Sequence, residues 1–275
     1  MLVTSKELFE NAQKDQYAIP AANFFDLDSA RSYVTVAERL NKPLILAFAQ
    51  AHMDMMSLEE AALIGNYFAR KANVPVVLHL DHGQDEKIIK QAIDLGFSSV
   101  MIDASLDSFA ENARRSKEIA DYAHEREVVV EAEIGFVGSG VNYENHDHSD
   151  SIYTKVMDAV RFAEMTNVDS LAVSIGTAHG FYKGTPKISF ERLAELKAAV
   201  QTPLVLHGGS SSGDENLHRC ATEGISKINI FTDFITAAMK AIERESPTDY
   251  FQLKKLTNQA LENTLEHYYT VFATK

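Results

Sequence analysis

Eight short, apolar, β-branched runs, each followed by charged sequence with helical spacing, predict an α/β protein built as a (β/α)8 (TIM) barrel with additional terminal helices. Two further observations support this. The runs are apolar almost throughout, as strands of a parallel sheet buried on both faces are. Eight βα units also need about 250 residues, which the 275-residue chain supplies. The rival is an open, doubly wound sheet. No G-x-G-x-x-G follows the first run, so a dinucleotide fold has little support. One barrel domain over residues 1–275 is expected.

The elements follow in order. MLVTSKELFENAQKD lacks the apolar core of a signal peptide and reads as a short amphipathic helix. The first four runs are YAIPAANFF from Tyr17, PLILAFA from Pro43, PVVLHLDH from Pro75 and SSVMIDAS from Ser98. The last four are VVVEAEIG from Val128, SLAVSIG from Ser170, PLVLHGG from Pro203 and KINIFTD from Lys227. Pro43, Pro75 and Pro203 open their runs, where no ladder hydrogen bond is lost. Residues 57–71 open a helical face with Leu58, Ala61, Ala62 and Leu63; in residues 109–125 the shared face is Ala113, Ile119, Ala120 and Ala123. After the fifth run, residues 136–151 (FVGSGVNYENHDHSDS) form a long polar connection of the kind that serves as a lid or binding loop. The tail, residues 249–272, reads as one or two extra helices, placed to pack on a neighbouring subunit or across the barrel bottom.

Composition excludes several function classes. The net charge of -13 argues against a nucleic-acid partner, which needs a basic face. A small anion remains compatible, because backbone N–H groups bind phosphate locally. No segment approaches the roughly 20 apolar residues of a membrane span. The lone Cys220 cannot form an internal disulfide, which fits a reducing compartment, and a cytoplasmic location is expected.

Three of the ten histidines precede glycine: His82, His179 and His207. His82 and His207 end runs three and seven, and His179 lies three residues past run six. In a βα barrel these ends open on one face, where active sites are built. Three converging imidazoles suffice for a catalytic Zn2+ with one position left open. Asp81, beside His82, is a candidate general acid/base. Its alternative roles are to orient a metal ligand or to cap the next helix, for which Gln84 and Asp85 are better placed. Runs seven and eight end in Gly208–Ser210 and Phe231–Asp233, which suit a backbone phosphate site; ordinary turn and cap chemistry would also explain them.

These motifs, LHLDHG, MIDAS, VEAEIG, SIGTAHG, PKISFERL and PLVLHGGSS, run in order along the chain. With them the sequence resembles the class II, zinc-dependent ketose-bisphosphate aldolases, almost end to end. The resemblance implies a lyase acting on a small phosphorylated sugar, as a homo-oligomer (dimer or tetramer). It implies that His82, His179 and His207 bind one Zn2+ and that Asp81 exchanges a proton with the C4 oxygen of the ketose. It further implies that Gly180, Gly208, Gly209, Ser210, Asn229 and Thr232 hold dihydroxyacetone phosphate, with Lys183 as a nearby cation. Asp103 and Glu133 match acidic positions beside the metal, where a second, monovalent cation can sit. Asn23 matches the family's early asparagine. A Schiff-base mechanism would need a lysine at the strand ends; Lys227 opens run eight at the wrong end, and Lys183 is the only lysine near a relevant loop.

Two positions depart from the family pattern. The loop after VEAEIG usually carries a mobile acid; by strict spacing that position falls on Val141 or Asn142, and Glu144 is the acid that could replace it. His146 and His148 in this loop read as a solvated pair rather than a second metal site. At Phe231 the fructose enzymes usually carry aspartate and the tagatose enzymes alanine. Phenylalanine there adds bulk and removes a hydroxyl partner, which points to a different aldehyde. The competing readings are a non-catalytic phosphosugar-binding barrel, suggested by the missing loop acid, and a metal hydrolase, disfavoured by the absence of H-x-H on run one.

Overall fold

The computed structural model describes residues 1–135, 153–178, 180 and 186–275. Each of the eight runs forms a strand. They are β1 (Ile19–Asn23), β2 (Leu44–Ala49), β3 (Val76–Gly83), β4 (Ser99–Ile102), β5 (Val129–Ile134), β6 (Ser170–Val173), β7 (Leu204–Leu206) and β8 (Ile225–Ile230). All pair in parallel and in chain order, and β1 closes on β8 with Ile19 opposite Lys227 and Ala21 opposite Asn229. The protein is a TIM barrel.

Helix α1 (Lys6–Asp15) precedes the barrel. The outer layer contains α2 (Leu27–Leu40), α3 (Leu58–Lys71), α4 (Glu86–Asp94) and α5 (Phe109–His124). It continues with α6 (Val156–Thr166), α7 (Phe190–Ala199), α8 (Asp214–Glu223), α9 (Thr232–Glu245) and the terminal α10 (Tyr250–Val271). Side-chain caps explain several starts. Asp26 with Ser29, and Ser57 with Glu60, form reciprocal capping boxes at α2 and α3. Asp85, not Asp81, caps α4 by accepting from Lys87 N. On α5 the expected face of Ala113, Ile119, Ala120 and Ala123 is buried. On α3, Leu58, Ala61 and Ala62 are buried but Leu63 is exposed, so the apolar face is narrower than its sequence suggests.

Strand side chains alternate between two cores. Leu46, Leu78, Val100 and Val130 face outward and pack with the helices. Ile19, Ala21, Ile45 and Val77 face inward and meet Leu8, Phe9 and Ala12 of α1, so α1 closes the barrel bottom. The tail reaches only the rim of the bottom, where Phe272 O accepts from Ala18 N and Ala273 packs on the inner cluster. It forms one helix, α10, that packs on the flank against α9 and α2, with Arg39 of α2 paired to Glu262 and Glu266.

Above the apolar floor the interior turns polar. His79, Ser99, Glu131, Ser170 and Lys227 are all buried. Lys227 therefore does not lie at the wrong end of run eight; it is the third residue of β8 and its ammonium reaches Glu131 inside the barrel. Two larger hollows, of about 500 and 720 Å3, lie between helices outside the barrel and hold none of these side chains.

Candidate active site

The polar interior opens at the C-terminal ends of the strands into a cavity of about 240 Å3. Asn23, Asp81, His82 and Asn229 line it together with Gly180, Gly208, Gly209, Ser210, Phe231 and Thr232, so most of the sequence-predicted site residues share one space. His207 lies against them, fully buried. His179, Lys183 and Glu144 fall outside the described residues, as does the whole 136–151 loop with His146 and His148.

Asp81 and His82 are neighbours in a strand, and regular alternation would point them to opposite faces. The structure avoids this with an irregularity. Leu80 pairs with Val100, but Gly83 pairs with Ile102, so β3 carries one extra residue. His82 sits there at φ 48, a left-handed conformation that costs a non-glycine residue on the order of 1–3 kcal/mol. The following Gly83 packs so closely that a Cβ would lie 2.5 Å from Met101 O and 2.6 Å from an Ile89 carbon. The strain therefore brings two consecutive polar side chains to one cavity.

Asp81 is held at both oxygens. Asn229 Nδ2 donates to Oδ1 and Asn23 Nδ2 to Oδ2, each at 2.8 Å. Burial alone would raise its pKa, but the positive potential of His82, His207 and Lys227 holds the carboxyl well below the usual range. Asn229 is thus tied to Asp81 through one amide N–H while lining the cavity. Its Oδ1 has no hydrogen-bond partner among the described residues.

The two described histidines are each backed by a carboxylate. His82 Nδ1 lies 2.8 Å from Asp103 Oδ2, and His207 Nε2 lies 2.8 Å from Glu131 Oε1. Each of these nitrogens donates its N–H, which leaves His82 Nε2 and His207 Nδ1 facing each other at 2.9 Å. Asp81, His82 and His207 offer ligand atoms within 4.8 Å of one another, as do His82, Asp103 and Glu133. Burial would lower the pKa of His82. It is outweighed by Asp81, the Asp103 bond and Glu133, and the ring is pushed up to about 9. Such a negative field, with two imidazole nitrogens aimed at one point, fits a metal cation.

Beneath them lies a network that the sequence reading missed. Lys227 Nζ donates to Glu131 Oε1 at 2.8 Å, to Oε2 at 2.7 Å and to His79 Nε2 at 3.2 Å. His79 Nδ1 in turn donates to Ser99 Oγ at 2.8 Å. Burial and Lys227 hold His79 near a pKa of about 3, consistent with a neutral ring that accepts from the ammonium. The signal was present in the sequence: Glu131 stands two residues before Glu133, Lys227 two before Asn229 and His79 two before Asp81. In a strand that spacing means the same face.

The opposite side of the cavity is backbone-rich. Gly208 has φ 69, and a Cβ there would meet Ala178 O at 2.4 Å. Ser210 Oγ accepts from Phe231 N at 3.2 Å and Asp233 N at 3.3 Å, which joins the β7 loop to the start of α9. Asp233 carries the link onward, accepting from Ser211 N and from the Tyr268 hydroxyl of α10. Glycine backbone beside a helix N-terminus is a favourable place for an anion.

The family model for class II fructose-bisphosphate aldolases matches residues 3–275. The chain belongs to this family. Among solved structures, the YdjI aldolase from Escherichia coli K12 is 32% identical, with 100% of this chain and 98% of that chain covered and a TM-score of 0.91. A putative fructose-1,6-bisphosphate aldolase from Coccidioides immitis is 26% identical, with 97% and 95% covered and a TM-score of 0.87. The fructose-bisphosphate aldolase of Campylobacter jejuni, 21% identical with a TM-score of 0.83 over 99% and 95%, shares the fold. Family membership makes this an aldolase of a metal-dependent class, and the two carboxylate-backed imidazoles suit that class.

The Glu131–Lys227 pair is expected to show its coupling in stability. Glu131→Gln leaves the Lys227 charge buried without its carboxylate and is expected to cost about 3–5 kcal/mol in urea denaturation. Adding Lys227→Met is expected to recover more than half of that loss; additive losses would contradict the pairing.

Proposed function

We propose that the protein cleaves a ketose phosphate reversibly to dihydroxyacetone phosphate and an aldehyde, with Zn2+ held by His82, His207 and His179. The observation that carries this reading is the pair of facing nitrogens, His82 Nε2 and His207 Nδ1, beside the doubly held Asp81 carboxylate. When bound, the zinc acts as a Lewis acid on the substrate carbonyl and lowers the cost of the negative charge left by carbon–carbon cleavage.

The chain's own residues supply the rest. In cleavage, Asp81 accepts the proton of the C4 hydroxyl as the C3–C4 bond breaks. C4 becomes the aldehyde carbon and the bonding pair passes to C3. In condensation the same proton returns. Asn23 and Asn229 each occupy one lone pair of Asp81, fix its plane and leave its remaining lone pairs for the substrate. Glu144 is the candidate for proton transfer at C3. The phosphate is assigned to the backbone of Gly208–Ser210 and the first turn of α9, with Gly180 and Lys183 beside it. Asp103 and Glu133 support His82 and offer oxygens to a monovalent cation.

Phe231 sets the aldehyde. Its ring faces the cavity where the related enzymes place aspartate or alanine, so the partner aldehyde is proposed to differ from glyceraldehyde 3-phosphate.

Two outcomes are expected. Asp81→Ala should retain binding of zinc and dihydroxyacetone phosphate but lose cleavage by about 10²–10⁴-fold, and a chelator should abolish turnover of the parent protein. Unchanged turnover in either case would refute the assigned chemistry. Steady-state assays should also show only weak cleavage of fructose and tagatose bisphosphates; ordinary family-level activity on either would reject the altered aldehyde.

A further inference from the structure

One feature of the cavity has no role in the chemistry above. The short 3-10 turn after β2, Gln50–His52, places His52 in the cavity wall. Its ring lies 4.5 Å from that of Phe231, centroid to centroid, at an interplanar angle of 43°. Phe25 packs on Phe231 at 6.1 Å, edge to face. Gln50 anchors the turn, its Oε1 accepting from Gln84 N at 2.8 Å. The aromatic wall is therefore fixed to the same segment that carries Asp81 and His82.

Resting on the aldolase reading, we propose that His52 and Phe231 form the half-site for the aldehyde, and that His52 Nε2–H donates to a hydroxyl of an aldehyde that carries no phosphate. Three observations carry this. First, His52 Nδ1 is buried and has no hydrogen-bond partner among the described residues. A proton there would be an orphaned donor, so the neutral ring carries its proton on Nε2. Burial, opposed by Asp81, lowers the pKa of the ring and keeps it neutral. Second, the described lining residues include no lysine or arginine, the side chains that usually pair with a phosphate. The metal and Lys183 are already assigned to the dihydroxyacetone phosphate half, which leaves no further lysine or arginine among the described lining residues for a second phosphate. Third, the Phe231 ring and Ala49 give the carbon chain of a short hydroxyaldehyde an apolar surface, while His52 supplies a single polar contact. That is the usual composition of a small-molecule site.

The test measures condensation of dihydroxyacetone phosphate by the zinc-loaded protein with three aldehydes: glyceraldehyde, propionaldehyde and glyceraldehyde 3-phosphate. In the parent protein kcat/KM is expected to be highest for glyceraldehyde. His52→Phe keeps an aromatic ring and removes the donor. It should lower the ratio of kcat/KM for glyceraldehyde over propionaldehyde by about tenfold, the size of one uncharged hydrogen bond. His52→Gln, which retains an N–H donor, should restore much of the ratio. An unchanged ratio in His52→Phe, or a preference of the parent protein for glyceraldehyde 3-phosphate, would overturn the assignment. If the parent protein forms no product with any aldehyde, the aldolase reading itself fails; product without hydroxyl preference overturns only the role of His52.

Discussion

Glu131 sits inside the barrel between an ammonium and an imidazole, and the site above depends on that position. Lys227 engages both carboxylate oxygens while His207 Nε2 donates to one of them. Burial alone would push Glu131 towards its neutral acid form; the positive neighbours outweigh burial and keep it ionised. An ionised Glu131 accepts the His207 N–H and so fixes which nitrogen of that ring faces the cavity. Buried ion pairs rarely add net stability, since desolvation offsets much of the attraction. The arrangement is better understood as orientation: it holds one imidazole in one tautomer at one angle.

The same logic repeats at the barrel mouth with different means. His82 is oriented by Asp103, and an extra residue in β3 with left-handed backbone brings it beside Asp81. Asp81 is oriented by two amides, from β1 and β8. Strands three, five, seven and eight therefore converge on one negative region with a compensating cation beneath it. The opposite wall presents glycine backbone and a helix start, where an anion is favoured. A chain of net charge -13 can in this way accept a phosphorylated sugar, because the attraction is local.

Much of this was legible in the sequence, and the remainder has physical reasons. The eight runs marked all eight strands because parallel strands covered on both sides stay apolar over their length. Two of the His-Gly pairs, at His82 and His207, marked the ends of β3 and β7. The inner polar layer was harder to see. Glu131, His79 and Lys227 sit within apolar runs, and only their two-residue spacing from Glu133, Asp81 and Asn229 places them inward. Reading each run as one buried segment hid that spacing, and it put Lys227 at a strand end. The bulge at His82 could not be read at all, because it arises from pairing with β4. His52 was missed because it lies in a short turn without a motif, and its significance appears only when Phe231 is seen against its ring. The tail was recognised as helical, but its seat on the flank depends on contacts with α2 and α9 that no local pattern encodes.

The proposed aldolase reaction requires proton transfer at C3 of dihydroxyacetone phosphate, for which Glu144 is the candidate, and not merely binding of that compound. The most direct measurement follows the C3 protons of that compound by NMR in deuterated water, with zinc-loaded protein and no aldehyde present. One of the two C3 protons is expected to exchange for deuterium while the other is retained. Tight binding of dihydroxyacetone phosphate with both protons retained would contradict it, and would leave a barrel that holds a phosphosugar without acting on it.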